Sequence, residues 1–267
     1  MVKAIAVDMD GTFLDSKKTY DKPRFEAIFT ELRNRDITFI AASGNQYAKL
    51  KSIFGDRDMY FISENGAVIY KGNELYNYKS FNRQVFQQVV DYLNMNQGID
   101  QLVICGLKSA YILKHTSEAF KEDTRFYYHQ LKEIDSLQQL PEDDYVKIAF
   151  NINRETHPNV VDEEVATQFS NDIKLVSSGH DSIDIIMPNM TKGQALKRLL
   201  DKWEMSPSEL MAFGDANNDK DMLAFAKHSY VMENSHDEEL FNIASAVAPS
   251  NDKQGVLTII EQEVLNK

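Results

Sequence analysis

Short apolar runs, each ending in a polar cluster and followed by helically spaced apolar positions, recur from the first residues of the chain. The run Val2 to Val7 is rich in branched residues and too short for a helix of its own, so it predicts a buried strand of a parallel sheet. It ends in Asp8-Met9-Asp10-Gly11-Thr12. Pro23 then opens a helical pattern over Arg24 to Arg35, with Phe25, Ile28, Phe29 and Leu32 on one face. Ile37 to Ala42 predicts a second strand, closed by Ser43-Gly44-Asn45, and Tyr47, Leu50 and Phe54 carry the next helix. Tyr60 to Ser63 predicts a third strand, leading into Glu64-Asn65-Gly66 and a hairpin of 67–70 with 74–78. Strand, helix and strand at these spacings form βαβ units with right-handed crossovers.

The texture then changes. An amphipathic helix over 81–96 is followed by short strands at 101–105 and 110–113, a helix near 117–126 and a strand at 145–152. A helix over 160–169 and strands near 173–176 and 182–187 complete this region. Helices set apart from hairpins of strands suggest an α+β module, and residues 82–185 are expected to form an inserted domain. From Met190 the earlier rhythm returns, with a helix over 194–203, a strand at 209–213 ending in Gly214-Asp215-Ala216-Asn217-Asn218-Asp219, a helix through Met222 and Phe225, a strand at 230–232 and two short helices. The expected fold is therefore α/β: a Rossmann-like doubly wound parallel sheet built from residues 1–81 and 186–267, with the α+β domain inserted.

Composition narrows the function. The net charge of −12 argues against binding a phosphate backbone, which needs a basic face. The single cysteine, Cys105, excludes an intrachain disulfide and fits a reducing, cytoplasmic setting. Its apolar neighbours favour a buried thiol over a nucleophile. No signal peptide, membrane-length apolar run or zinc-like histidine spacing is visible.

The chemistry concentrates at strand ends. Side chains two apart on an extended chain share a face, so Asp8 and Asp10 can converge on one volume. Buried together they need a proton or a cation between them, and a hard divalent ion such as Mg2+ meets that need. In open α/β sheets ligands bind beyond the carboxyl ends of the strands. Asp8/Asp10, Ser43/Gly44 and Asp215/Asn218/Asp219 can therefore share a crevice, with Lys192 joining from a helix start. Asp8, Asp215 and a carbonyl near Asp10 could hold Mg2+. Ser43, the Gly44 amide, Lys192 and Asn218 could hold phosphate oxygens. A carboxylate can itself be the nucleophile. Singly, Asp215, Asn218 and Ser43 are ordinary helix caps and Lys192 an ordinary surface lysine; it is their joint order on strand and helix ends that points to phosphate chemistry.

These four segments resemble, in order, the four motifs of the haloacid dehalogenase superfamily: Asp-x-Asp-Gly-Thr at 8–12, Ser43, Lys192, and Gly-Asp-x-x-Asn-Asp at 214–219. The long insertion is similar to the type-2B cap of the Cof-like subfamily. The stretches 39–47, 64–67 and 105–111 resemble bacterial Cof-type sugar phosphatases, including Asn45 where many Cof-like members carry Arg. The resemblance implies Mg2+-dependent hydrolysis of small phosphate monoesters, most specifically sugar phosphates. Asp8 would be the nucleophile and Asp10 the general acid and base. Mg2+ would sit on Asp8, the Asp10 carbonyl and Asp215. Lys192 and Ser43, with backbone amides at Met9 and Gly44, would steady the phosphoryl oxygens; Asn218 would orient phosphate and Asp219 would hold Lys192 or a metal-bound water.

Selectivity would come from the cap, where Lys108 in the 106–111 turn and His180 in 177–180 are candidate substrate contacts; Asn65, in the 64–66 turn of the core, is a further candidate, though that turn reads equally as a plain turn. Two rivals are a phosphotransferase or phosphomutase of the same superfamily and a non-catalytic phosphate-binding regulator. The second has no need of an acid at Asp10. Neither a nucleic-acid nor a membrane partner is expected.

Overall fold

The computed structural model describes residues 1–95, 101–151, 160–177 and 182–266. β1 (Ala4–Val7), β2 (Thr38–Ala42) and β3 (Tyr60–Ser63) run parallel, with α1 (Lys22–Asn34) and α2 (Tyr47–Phe54) as crossovers. Asp21 caps α1 by accepting the Arg24 amide, and Pro23 sits in its first turn, where no intrahelical donor is lost. β4 (Val68–Lys71) and β5 (Glu74–Tyr78) extend the sheet as an antiparallel hairpin.

The chain then leaves this sheet for α3 (Arg83–Met95), β6 (Leu102–Gly106), β7 (Ala110–Leu113), α4 (Glu118–Tyr127) and β8 (Leu131–Ile134). β9 (Tyr145–Asn151), α5 (Val160–Gln168), β10 (Lys174–Ser177) and β11 (Ser182–Ile186) follow. It returns with α6 (Lys192–Lys202), β12 (Leu210–Gly214), α7 (Lys220–Phe225) and β13 (His228–Met232). α8 (Glu238–Ile243), β14 (Ala246–Ala248) and α9 (Gly255–Ile260) end the regular structure before a short π-helical turn.

The larger sheet has eight strands in the order β14-β13-β12-β1-β2-β3-β4-β5. Its central strands are buried on both faces because alternate side chains enter two different cores. Ile5, Val7, Phe39, Ala41 and Phe213 pack with Phe13, Phe25 and Phe54 under α1, α2 and α9. Ala4, Ala6, Ile40, Ala42 and Ala212 meet Leu196, Leu199, Met222 and Leu240 of α6, α7 and α8. That double covering is the expected doubly wound α/β core.

The smaller sheet, β10-β11-β9-β6-β7-β8, is antiparallel except for β7 with β8. One face packs on Phe86, Val89 and Leu93 of α3. The other, carrying Val103, Cys105 and Ala149, packs on Ala67 and Val68 of the larger sheet. Cys105 is fully buried there, as its neighbours suggested.

Two strands had no signal in the sequence. β8 is an edge strand whose Lys132 and Glu133 point outward, and Glu133 is held by Lys121 and Arg125 of α4 rather than by apolar packing. β14 is three residues long, too short for a period to show. α6 starts two residues earlier than its apolar spacing predicts, because Thr191 caps it by accepting the Gln194 amide. Among the described residues no helix is long and apolar enough to cross a membrane.

Candidate active site

β1 lies between β12 and β2, all three parallel, so the residues that follow them emerge at the same end of the sheet. Asp8 continues β1 and its amide bonds the Phe213 carbonyl at 3.0 Å, which carries the strand pairing into the site. Lys192, the first residue of α6 and wholly inaccessible, places its amine 2.5 Å from Asp8 Oδ1 and 2.8 Å from Asp219 Oδ1. Asp219 spends its other oxygen on the backbone amides of Asp215 and Ala216, at 3.0 and 3.1 Å. The Thr12 hydroxyl donates to Asp215 Oδ1 at 2.6 Å.

Carboxylate oxygens of Asp8, Asp215 and Asp219 lie within 4.8 Å of one another. One lysine among three acids leaves an excess of buried negative charge, and the titration behaviour reflects it. Burial first, and then the Asp219 charge, raise the Asp8 carboxyl well above its ordinary range. The same two causes bring Asp215 up to about 6. Burial pushes the Lys192 amine down, but Asp219 and Asp8 outweigh it and hold the amine above its usual value.

The oxygen inventory fits a hard cation. Both Asp219 oxygens are committed, to Lys192 and to two amides, so Asp219 is better placed to support than to ligate. Asp8 and Asp215 instead bring carboxylate oxygens within 4.8 Å of each other. Two carboxylates in that position require a shared proton or a positive ion, and an all-oxygen donor set suits Mg2+.

Asp10 stands apart from this cluster, partly exposed, with Lys18 Nζ on one oxygen at 2.7 Å and Asn45 Nδ2 on the other at 2.8 Å. The positive charge absent at Asn45 is thus supplied by Lys18. Ser43 is buried, and its Oγ accepts the Asn45 amide at 3.0 Å. A hydroxyl has a single proton, and here it remains available to donate. Met9 is fully buried with its side chain in the core, so only its backbone can serve a ligand.

Asn65 and Asn218 are joined at 3.0 Å, and a Cβ on Gly44 would lie only 3.1 Å from the Asn65 amide. Lys108 is not drawn into this group: its amine bonds the Glu142 carbonyl and its amide the Asp143 carboxylate. His180 and most of the 177–180 loop lie outside the described residues.

Two glycines have no substitute here. Gly11 has φ +85°, and a Cβ on it would stand 2.3 Å from Asp215 Oδ2. Gly66, at φ +109°, would put a Cβ 2.3 Å from the Thr191 carbonyl, the cap of the helix that carries Lys192. Arg198 of α6 also donates to the Gly66 carbonyl at 2.8 Å. The 64–66 turn is thereby fixed against α6, and Glu64 and Asn65 within it hold left-handed φ of +50° and +56°. Gly66→Ala is expected to lower folding stability by about 2 kcal/mol or more in urea denaturation.

Sequence reasoning did not single out Thr12, Lys18, Lys147 or Asp184 for a role. The signal for the last two was visible in principle: each is a charge set in an otherwise apolar strand, Tyr145-Val-Lys-Ile-Ala-Phe150 and Ser182-Ile-Asp-Ile-Ile186.

The profile of the haloacid dehalogenase-like hydrolases matches residues 5–260. The chain belongs to that family. The Escherichia coli K12 protein named 5-amino-6-(5-phospho-D-ribitylamino)uracil phosphatase YbjI is 36% identical over 265 residues, spanning 98% of this chain and 96% of that one. YwtE of Bacillus subtilis 168, named for the same phosphatase activity, is 26% identical over 285 residues, spanning 98% of each. Among solved structures, SMU.1108c from Streptococcus mutans UA159 superposes with a TM-score of 0.92 at 34% identity, covering 99% of this hydrolase and all of that chain. The resemblance drawn from the motifs is thus borne out at the level of family and fold.

Proposed function

We propose that this hydrolase is a Mg2+-dependent phosphatase that releases phosphate from small monoesters of polyhydroxylated alcohols, sugar phosphates among them, through an aspartyl phosphate on Asp8. The observation that carries the reading is the division of labour between two carboxylates. Asp8 is buried against Lys192 and Asp215, whereas Asp10, two residues on, is held partly exposed by Lys18 and Asn45. A nucleophile needs the first environment and an acid that becomes a base needs the second.

An Asp8 oxygen attacks phosphorus, the ester P–O bond breaks, and the leaving oxygen takes the Asp10 proton. Asp10 then accepts a proton from water, whose oxygen attacks the same phosphorus and restores the Asp8 carboxylate. Lys192, Ser43 and the amides of Met9 and Gly44 face the equatorial oxygens where transition-state charge accumulates, and Asn218 orients them. Asp8, the Asp10 carbonyl and Asp215 would hold Mg2+, whose charge would let an anionic nucleophile meet an anionic ester.

The substrate class draws on the two relatives named for a phosphorylated ribityl chain. On this reading residues 82–185 act as the cap that selects the alcohol and excludes water. A cytoplasmic setting agrees with the lone, buried Cys105.

Phosphate release from a panel of sugar and polyol phosphates, with Mg2+ or with EDTA, tests the proposal. Turnover abolished by EDTA and restored by excess Mg2+ is expected. Full turnover in EDTA would contradict it, and phosphate moved to an added sugar rather than to water would mark a transferase.

A further inference from the structure

Lys147 and Asp184 stand on neighbouring strands, β9 and β11, and both point from the smaller sheet toward the larger one. Each is about 2% exposed. Lys147 Nζ donates to the Gly44 carbonyl at 2.6 Å, lies 2.9 Å from Glu64 Oε2 and 3.7 Å from Asp184 Oδ2, and sits 5.3 Å from the centre of the Tyr128 ring. Asp184 Oδ2 accepts from Asn65 Nδ2 at 2.6 Å.

The consequences run through groups with fixed polarity. Drawing the Gly44 carbonyl toward Lys147 orients the Gly44–Asn45 peptide, whose N–H meets Ser43 Oγ at 3.0 Å. That bond occupies the hydroxyl as an acceptor and leaves its proton for a phosphate oxygen. The Asn65 amide presents its NH2 to Asp184 Oδ2 and therefore its oxygen to Asn218. Asn218 answers with Nδ2 at 3.0 Å, which settles which way its amide faces. Two charges from the smaller sheet thus end on the two phosphate-holding segments, one through Ser43 and one through Asn218. Charges are costly in an apolar sheet face, and apolar residues there would pack with Cys105 and Ala149 at no such cost.

We propose that Lys147 and Asp184 are positioning residues of the phosphate site: the smaller sheet uses them to set the Ser43 hydroxyl and the Asn218 amide. The inference rests on the phosphatase reading. It goes beyond it by assigning the phosphate grip, and not only the choice of alcohol, partly to residues of the inserted sheet.

A double-mutant cycle separates positioning from packing. p-Nitrophenyl phosphate serves as substrate and inorganic phosphate as competing ligand, with thermal melts confirming that each variant folds. Lys147→Met is expected to lower kcat/KM, and to raise the inhibition constant for phosphate, by roughly tenfold to a hundredfold. In a chain already carrying Ser43→Ala the same change should cost less than about threefold. Equal losses in both backgrounds would overturn the proposal.

Should Lys147→Met not fold, Asp184→Asn, which keeps the side-chain shape, repeats the test against Asn218→Ala, with the same two outcomes. The wild-type assay keeps the two levels apart. No turnover by the wild-type chain would remove the phosphatase reading, whereas turnover with additive losses removes only the role given to Lys147 and Asp184.

Discussion

Asp8→Asn is expected to lower kcat/KM for phosphate monoesters by on the order of 10⁴- to 10⁶-fold, as removal of a covalent nucleophile does elsewhere. The substitution keeps the shape of the side chain and the Lys192 contact at Oδ1, so the fold should survive. What disappears is the anionic oxygen that, in the proposed mechanism, attacks phosphorus. Relief of the charge repulsion from Asp219 and Asp215 should leave the variant as stable as the parent, or more so, in metal-free buffer. A steep loss of rate without loss of stability is therefore the signature to seek, read from phosphate release beside urea denaturation. A variant that kept activity within tenfold of the parent would place the nucleophile elsewhere.

Lys192→Met is expected to act on both quantities. The amine is wholly buried between Asp8 and Asp219, and no other described cation contacts either carboxylate in that cluster. Removing it leaves three acids within 4.8 Å of one another. Breaking a buried pair from one side costs about 3–5 kcal/mol, a large share of the roughly 5–15 kcal/mol by which domains are stable. Saturating Mg2+ should return part of that loss, since it supplies charge to the same acids. Activity should also fall steeply, because in the proposed mechanism the amine steadies the phosphoryl oxygens. Urea midpoints with and without Mg2+ check the first effect. A loss below about 1 kcal/mol in EDTA would mean that the acids share protons instead.

Much of the core was legible in the sequence because its strands are buried on both faces. Runs such as Ile37 to Ala42 have no polar alternation to blur them, and the residue that ends each run is a carboxylate or a serine. The site was legible for a related reason: Asp8, Ser43 and Asp215 are fixed by strand order, and Lys192 by a helix start, so local pattern and final position coincide. Where a contact depends on a distant partner, the sequence was silent. Lys18 reaches Asp10 through a residue at φ +59°, and nothing in Ser16-Lys17-Lys18 announces that. Lys147 and Asp184 were read only as members of their strands, because what they touch, Gly44 and Asn65, belongs to the other sheet. β8 was missed because it is a four-residue edge strand with two exposed charged residues, Lys132 and Glu133, at its centre.

The central claim is that phosphate passes through Asp8. Quenching the enzyme during turnover and reducing it with borohydride, which converts an acyl phosphate to the alcohol, tests that most directly. Mass spectrometry of the peptide spanning Asp8 should then show homoserine at that position only when substrate and Mg2+ are both present. Steady phosphate release with Asp8 unmodified, or reduction at a different carboxylate, would contradict the account.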